Sequence, residues 1–159
     1  MAKKLSHVDD QGRATMVEVT EKKETVREAV AHGFVQLSQE VLELIRADKL
    51  KKGNPIEVAR VAGIMAAKQT PALIPLCHPL LLTKVDVEIE LTASGAEIVS
   101  RVVCVGKTGV EMEALTAVSV AALTLYDMCK AVDKKMVIGE IYLEKKSGGR
   151  SGTFVREGA

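Results

Sequence analysis

Residues 84–106 read KVDVEIELTASGAEIVSRVVCVG. Val85, Val87, Ile89 and Leu91 alternate with Asp86, Glu88 and Glu90, the period of a strand that buries one face and wets the other. Residues 92–95, TASG, supply a turn, and residues 96–105 return as a second strand. A two-stranded antiparallel unit followed by a helical stretch sets the class as α+β, and the rest of the chain is arranged around it.

Downstream, the GKTG turn at 106–109 leads into a predicted helix over residues 111–132, and residues 136–143 close as a strand. Upstream, KKGNP at 51–55 is a breaker. Asn54 is placed to cap a helix that begins at Pro55 and runs to about residue 68, before QTP. Before the breaker, Val26, Ala29, Val30, Gly33, Phe34, Leu37, Val41 and Leu44 recur at helical spacing, which predicts one amphipathic helix over residues 24–46. Residues 16–19, MVEV, make a short strand. The predicted order is β-α-α-β-β-α-β. Without its second helix this is the split βαβ pattern of a ferredoxin-like sandwich, an antiparallel sheet with helices packed on one face.

The helix at 111–132 is apolar on nearly every side and rich in Ala, Ser and Thr, so it has to be covered from several directions. One sheet face does not suffice, and burial in a subunit interface is expected. The whole chain, 1–159, reads as one domain of a size that buries roughly 70% of its unfolded surface. Its ends, 1–14 and 147–159, are polar or glycine-rich and are expected to be mobile.

Charge excludes several classes. Lys and Arg number 22 against 21 Asp and Glu, a formal net charge of +1, and such a chain has no global attraction for nucleic acid or membrane. With no Trp, two Tyr and two Phe, it is poorly equipped to stack unpaired bases. Residues 114–126, the uncharged run inside the predicted helix, fall short of the ~20 a membrane span needs. The three cysteines show no CxxC spacing, the N-terminus has no apolar leader, and a reducing cytoplasm is the expected location.

Several motifs invite chemistry. GKTG fails the P-loop pattern because Arg101 stands where its first Gly belongs, which leaves a turn before a helix N-terminus as the simpler reading. Cys77 and His78 lie between Pro75 and Pro79, on stiffened backbone where an imidazole can be held toward a ligand. Glu111 and Glu113 open the long helix, where carboxylates complement its positive end. Asp127 and Lys130 stand at i, i+3 near its other end, close enough to pair. Such a pair at the edge of an apolar run, partly dry, can position and tune a proton donor. Glu113 and Asp127 are 14 residues apart, on nearly one helix face but about 21 Å apart along the axis. If both serve one site, two chains must build it. Lysines at 51, 52, 68, 134, 135, 145 and 146 offer cations for a polyanion such as a triphosphate.

Taken together, IPLCHPL at 74–80, TGVEMEALTAVSVAALTLYDMCKAVDK at 108–134 and KSGGRSG at 146–152 resemble the molybdenum cofactor biosynthesis protein C family, the cyclic pyranopterin monophosphate synthases. MVEV at 16–19, ETVREA at 24–29 and ARVAGIMAAK at 59–68 extend the resemblance from about residue 5 to 152. It implies a cytoplasmic lyase that converts 3′,8-cyclo-7,8-dihydroguanosine 5′-triphosphate to cyclic pyranopterin monophosphate and releases diphosphate. It also implies a homohexamer, a trimer of dimers with the active site at a subunit interface. Carried over by motif, Asp127, Lys130, Lys52 and Lys146 would be catalytic. Leu76, Cys77, His78, Met112, Glu113, Arg27 and Lys68 would bind the small-molecule substrate. No metal or cofactor is implied. A pterin-binding or nucleotide-binding subunit without catalysis, or a purely structural oligomer, would explain fewer of these residues.

Overall fold

The computed structural model describes residues 7–158. Its elements are β1 (Thr25–Gln36), α1 (Gln39–Arg46), α2 (Pro55–Leu73), β2 (Leu82–Leu91), β3 (Gly95–Gly106), α3 (Glu111–Cys129), β4 (Val137–Ser147) and β5 (Phe154–Val155). The strands form one antiparallel sheet in the order β2-β3-β1-β4-β5. Its first four members follow the ferredoxin-like arrangement: β2 runs parallel to β1 with β3 inserted between them. The expected order of element types holds, and the β2–β3 hairpin stands where the alternation put it. The N-terminal residues assigned to the first strand and helix do not.

Residues 24–36 are not helical. They form β1, the strand paired on both sides, running from Thr25 opposite Gly106 to Gln36 opposite Gly95. The single helix predicted over 24–46 therefore shrinks to α1, capped by Ser38, whose side chain accepts from the Val41 amide. MVEV at 16–19 forms neither strand nor helix. Helix α2 begins as predicted, with Asn54 accepting from the amides of Ile56 and Glu57 and Pro55 in the first turn. It runs past residue 68 to Leu73 and includes Pro71. A proline so near the end sacrifices one helical hydrogen bond without forcing a break further back.

All three helices contribute to the core on one sheet face. Ala29, Ala31 and Val35 of β1, Ile98, Val102 and Cys104 of β3, and Val118, Ala121 and Leu125 of α3 are fully buried there. Burial of each such Val, Ile or Leu contributes roughly 1.5–3 kcal/mol. Ser100 in β3 donates its hydroxyl to the Ala114 carbonyl at 2.8 Å, tying the sheet to the start of α3. Gly63 of α2 faces α3 so closely that a Cβ there would lie 3.0 Å from the Ala117 carbonyl oxygen.

Helix α3 is thus internal, covered by the sheet beneath and by α2 beside it. By length and composition alone it could cross a membrane, yet ten of its 19 residues are buried. Its apolar circumference does not require a subunit interface. Outward apolar surface on the helices includes Val58, Val61 and Met65 of α2 and Leu123 of α3.

Candidate active site

Two groups of the sequence-predicted residues form at opposite ends of α3. At its C-terminal end Tyr126-Asp-Met-Cys129 completes the last turn, and Lys130 is the C-cap. Lys130 Nζ lies 2.6 Å from Asp127 Oδ1, the expected i, i+3 pair. Lys52, from the loop between α1 and α2, closes on the same carboxylate: its Nζ is 3.0 Å from Oδ2 and also donates to the Asp127 main-chain carbonyl at 2.9 Å. Asp127 is therefore held between two ammonium groups.

Hydrogen bonds from Lys130 and then Lys52 push the Asp127 carboxyl below its usual range. The bond to Asp127 raises Lys130 in turn. The surroundings are not dry in the single chain, since the Asp127 side chain is 54% exposed, and water screens such a pair.

The other end of α3 meets the PLCHP segment. After α2 the chain turns, with the Cys77 amide bonded to the Ile74 carbonyl at 3.2 Å, and Leu76, Cys77 and His78 are carried to the start of α3. There they line a cavity of roughly 260 Å³ with Met112 and Glu113. Glu113 is 3% exposed. A carboxylate loses hydration there, so burial, seconded by the Glu111 charge, pushes its pKa up. The Cys77 thiol is raised by burial and then by Glu113, which keeps it a thiol and a poor nucleophile near neutrality. Buried Cys129 is pushed to about 11.

A second cavity, roughly 640 Å³, adjoins the first and shares Lys22, Thr108, Gly109 and Glu111 with it. Arg27 and Lys146 both line it, with the SGGRS stretch at 147–151. Six lysines and arginines face three glutamates around this cavity. One of the three, Glu28, is occupied by Arg101 and Lys145 and its pKa is lowered, mostly by Arg101. Arg27 is buried and donates Nε to the Gly106 carbonyl at 3.2 Å and Nη2 to the Lys107 carbonyl at 3.3 Å. Lys146 bonds the Ser151 hydroxyl.

Gly148 and Gly149 have φ of +97° and +72°, and any Cβ on Gly149 would overlap the Arg27 guanidinium. Only glycines let the tail lie this close. Beyond it, Phe154–Val155 adds β5 to the sheet edge, a pairing not expected from the sequence.

Lys68 stands apart from both groups, in a hollow of roughly 390 Å³ lined by Ile64 and residues 80–85. Leu80 borders this hollow and the smaller cavity alike. Among the described residues no cluster of three or more His, Cys, Asp or Glu side chains is placed to hold a metal ion. The sequence did not signal Lys22, Thr108 or the Lys52–Asp127 bond. Lysine clustering named Lys52, but nothing local pointed to a partner 75 residues away.

The sequence profile of the MoaC family matches residues 16–149, which takes in both ends of α3 and most of the lining of both cavities. The chain belongs to the MoaC family. Its relatives in this family include a cyclic pyranopterin monophosphate synthase of Pelotomaculum thermopropionicum, 60% identical over 97% of this chain and 92% of that protein. The proteins of that name from Roseiflexus sp. and Clostridium perfringens are 58% and 56% identical, each matching 96% or more of both chains. Matches of this extent span the stretch from PLCHP to YDMCK.

Proposed function

We propose that the two groups at the ends of α3 are halves of one active site, completed by a second copy of the chain, and that it carries out the cyclic pyranopterin monophosphate synthase reaction. The activity itself is that of the family: a lyase reaction in molybdenum cofactor biosynthesis. The observation that carries the two-chain reading is the placement of Glu113 and Asp127 on one rigid helix, about 21 Å apart. No small substrate group reaches both within one subunit. The exposed apolar residues of α2 and Leu123 support self-association, and a homohexamer built as a trimer of dimers in the cytoplasm is the assembly we favour.

In this reading the substrate is 3′,8-cyclo-7,8-dihydroguanosine 5′-triphosphate. Its ring system sits against Leu76, Cys77, His78, Met112 and Glu113. Arg27, Lys68 and His78 hold the triphosphate and steady the departing diphosphate. Remaking the purine as a pterin demands repeated proton transfers at nitrogen and oxygen. Lys130, its pKa raised by Asp127, enters the cycle protonated and serves first as an acid. Lys52 or Lys146 serves another transfer.

Two experiments test this. Lys130→Ala is expected to abolish diphosphate release while largely sparing substrate affinity; wild-type turnover in that variant removes Lys130 from the mechanism. Mixing Glu113→Ala and Asp127→Ala chains, each inactive alone, is expected to restore part of the activity, because mixed assemblies contain sites with both residues intact. Without restoration from assemblies shown to exchange subunits, the two-chain site is wrong.

A further inference from the structure

Residues 16–24 form neither helix nor strand, yet they wall both cavities. Val17 and Val19 face the smaller, Glu21 and Lys23 the larger, and Lys22 faces both. Among the described residues, one hydrogen bond ties this stretch to the rest of the protein: Lys107 Nζ donates to the Thr20 carbonyl at 2.8 Å. The Lys22 amide closes a turn on the Val19 carbonyl at 3.0 Å, so Lys107 grips the turn that carries Lys22. Lys107 is itself anchored, because buried Arg27 donates to its carbonyl and to that of Gly106. A continuous line of contacts therefore runs from a buried guanidinium, through the GKTG turn, to an exposed lysine. Among the described residues no carboxylate pairs with Lys22.

We propose that Lys22 is a phosphate-binding residue of the substrate pocket and that Lys107 is the positioning residue that delivers it. This rests on the reading that the joined cavities hold the substrate, its ring system in the smaller and its triphosphate reaching into the larger. A short, otherwise unattached segment costs conformational entropy to order. The Lys107 bond meets that cost before substrate arrives and aims the Lys22 ammonium at the junction of the cavities. A triphosphate that passes from the smaller cavity into the larger meets Lys22 at the junction and the Arg27–Lys146 side beyond it. The Lys107 side chain is thereby used up on the backbone and does not serve as a ligand.

The test is steady-state diphosphate release from the cyclic dihydroguanosine triphosphate by the full-length assembly, with limited trypsin digestion in parallel. Lys107→Met is expected to raise KM roughly tenfold, the worth of a charge-assisted hydrogen bond, with kcat held within about twofold. Cleavage after Lys22 and Lys23 is expected to quicken in the same variant. Lys107→Arg, which keeps a donor to Thr20, restores both. Lys22→Met raises KM to a similar degree and leaves the fold alone, because its side chain is exposed and unpaired; it decides the matter even if Lys107→Met fails to fold. An unchanged KM in Lys22→Met, or a loss confined to kcat, overturns the proposal while wild-type turnover still upholds the site. A wild-type protein that releases no diphosphate overturns the reading of the site itself.

Discussion

Lys52 grips Asp127 twice, through the carboxylate and through the main-chain carbonyl of the same residue. The second bond fixes the ammonium against the end of α3 whatever the protonation state of the carboxyl, which holds Lys52 in place for proton transfer. Replacing Lys52 by Met is expected to cut turnover by roughly 100-fold or more, the usual worth of a positioned proton-transfer group. Because the pair is about half exposed, thermal stability is expected to be nearly unchanged. Steady-state kinetics and a melting curve on the same preparation check both.

Asp127 supports the charge of Lys130, and the support should be visible directly. With Asp127→Asn, the Lys130 pKa is expected to fall, because the hydrogen bond to a charged carboxylate is its largest upward influence. Titration of the lysine ε-carbon by NMR follows this residue without reference to catalysis. An unmoved Lys130 in that variant would falsify the pairing in solution.

Glu113 carries a stability cost with a definite pH sense. Its folded-state pKa is raised above the usual 4.5, so between those two values the native state binds more protons than the unfolded one. Stability then falls as pH rises through that window, and the loss is complete above the folded-state pKa. Glu113→Gln is expected to melt higher than wild type at neutral pH, with the advantage disappearing below about pH 4. Melting curves across pH 3–8 check the sign; a variant less stable at pH 7 contradicts burial as the cause.

The glycines of SGGRS shape the larger cavity. Gly149→Ala adds a Cβ where the Arg27 guanidinium lies and must hold alanine at a φ of +72°, which costs of order 1 kcal/mol or more. The tail is expected to move off Arg27, and substrate KM to rise by roughly tenfold or more with kcat less affected. Gly152→Ala, also at positive φ but with open space around its Cβ, serves as the control. Equal effects from the two would mean strain alone is responsible.

Much of the fold was legible because the β2–β3 hairpin has one wet face and so a clean alternation. Strand β1 was misread for the opposite reason. It lies inside the sheet with apolar residues on both faces: Ala29, Ala31, Gly33 and Val35 toward the core, Val26, Val30 and Phe34 toward the other side. Where apolar residues fall on both faces, a helical period fits as well as a period of two. The small residues that also suggest a helix are there because α3 presses on the strand; a Cβ on Gly33 would lie 3.4 Å from that of Val118. The Asp127–Lys130 pair was legible from local spacing. The third member, Lys52, and the meeting of PLCHP with Glu113 arise only when distant segments fold together.

Helix α3 also acts as a ruler. Its residue count sets both the axial gap and the angular offset between Glu113 and Asp127. One inserted residue between them would swing Asp127 about 100° around the helix and shift it only about 1.5 Å along the axis. The offset between them would pass from about 40° on one side to about 60° on the other, and two copies docked in the same arrangement would no longer bring the pair together. Sequence change within α3 can therefore alter which residues are present far more freely than how many.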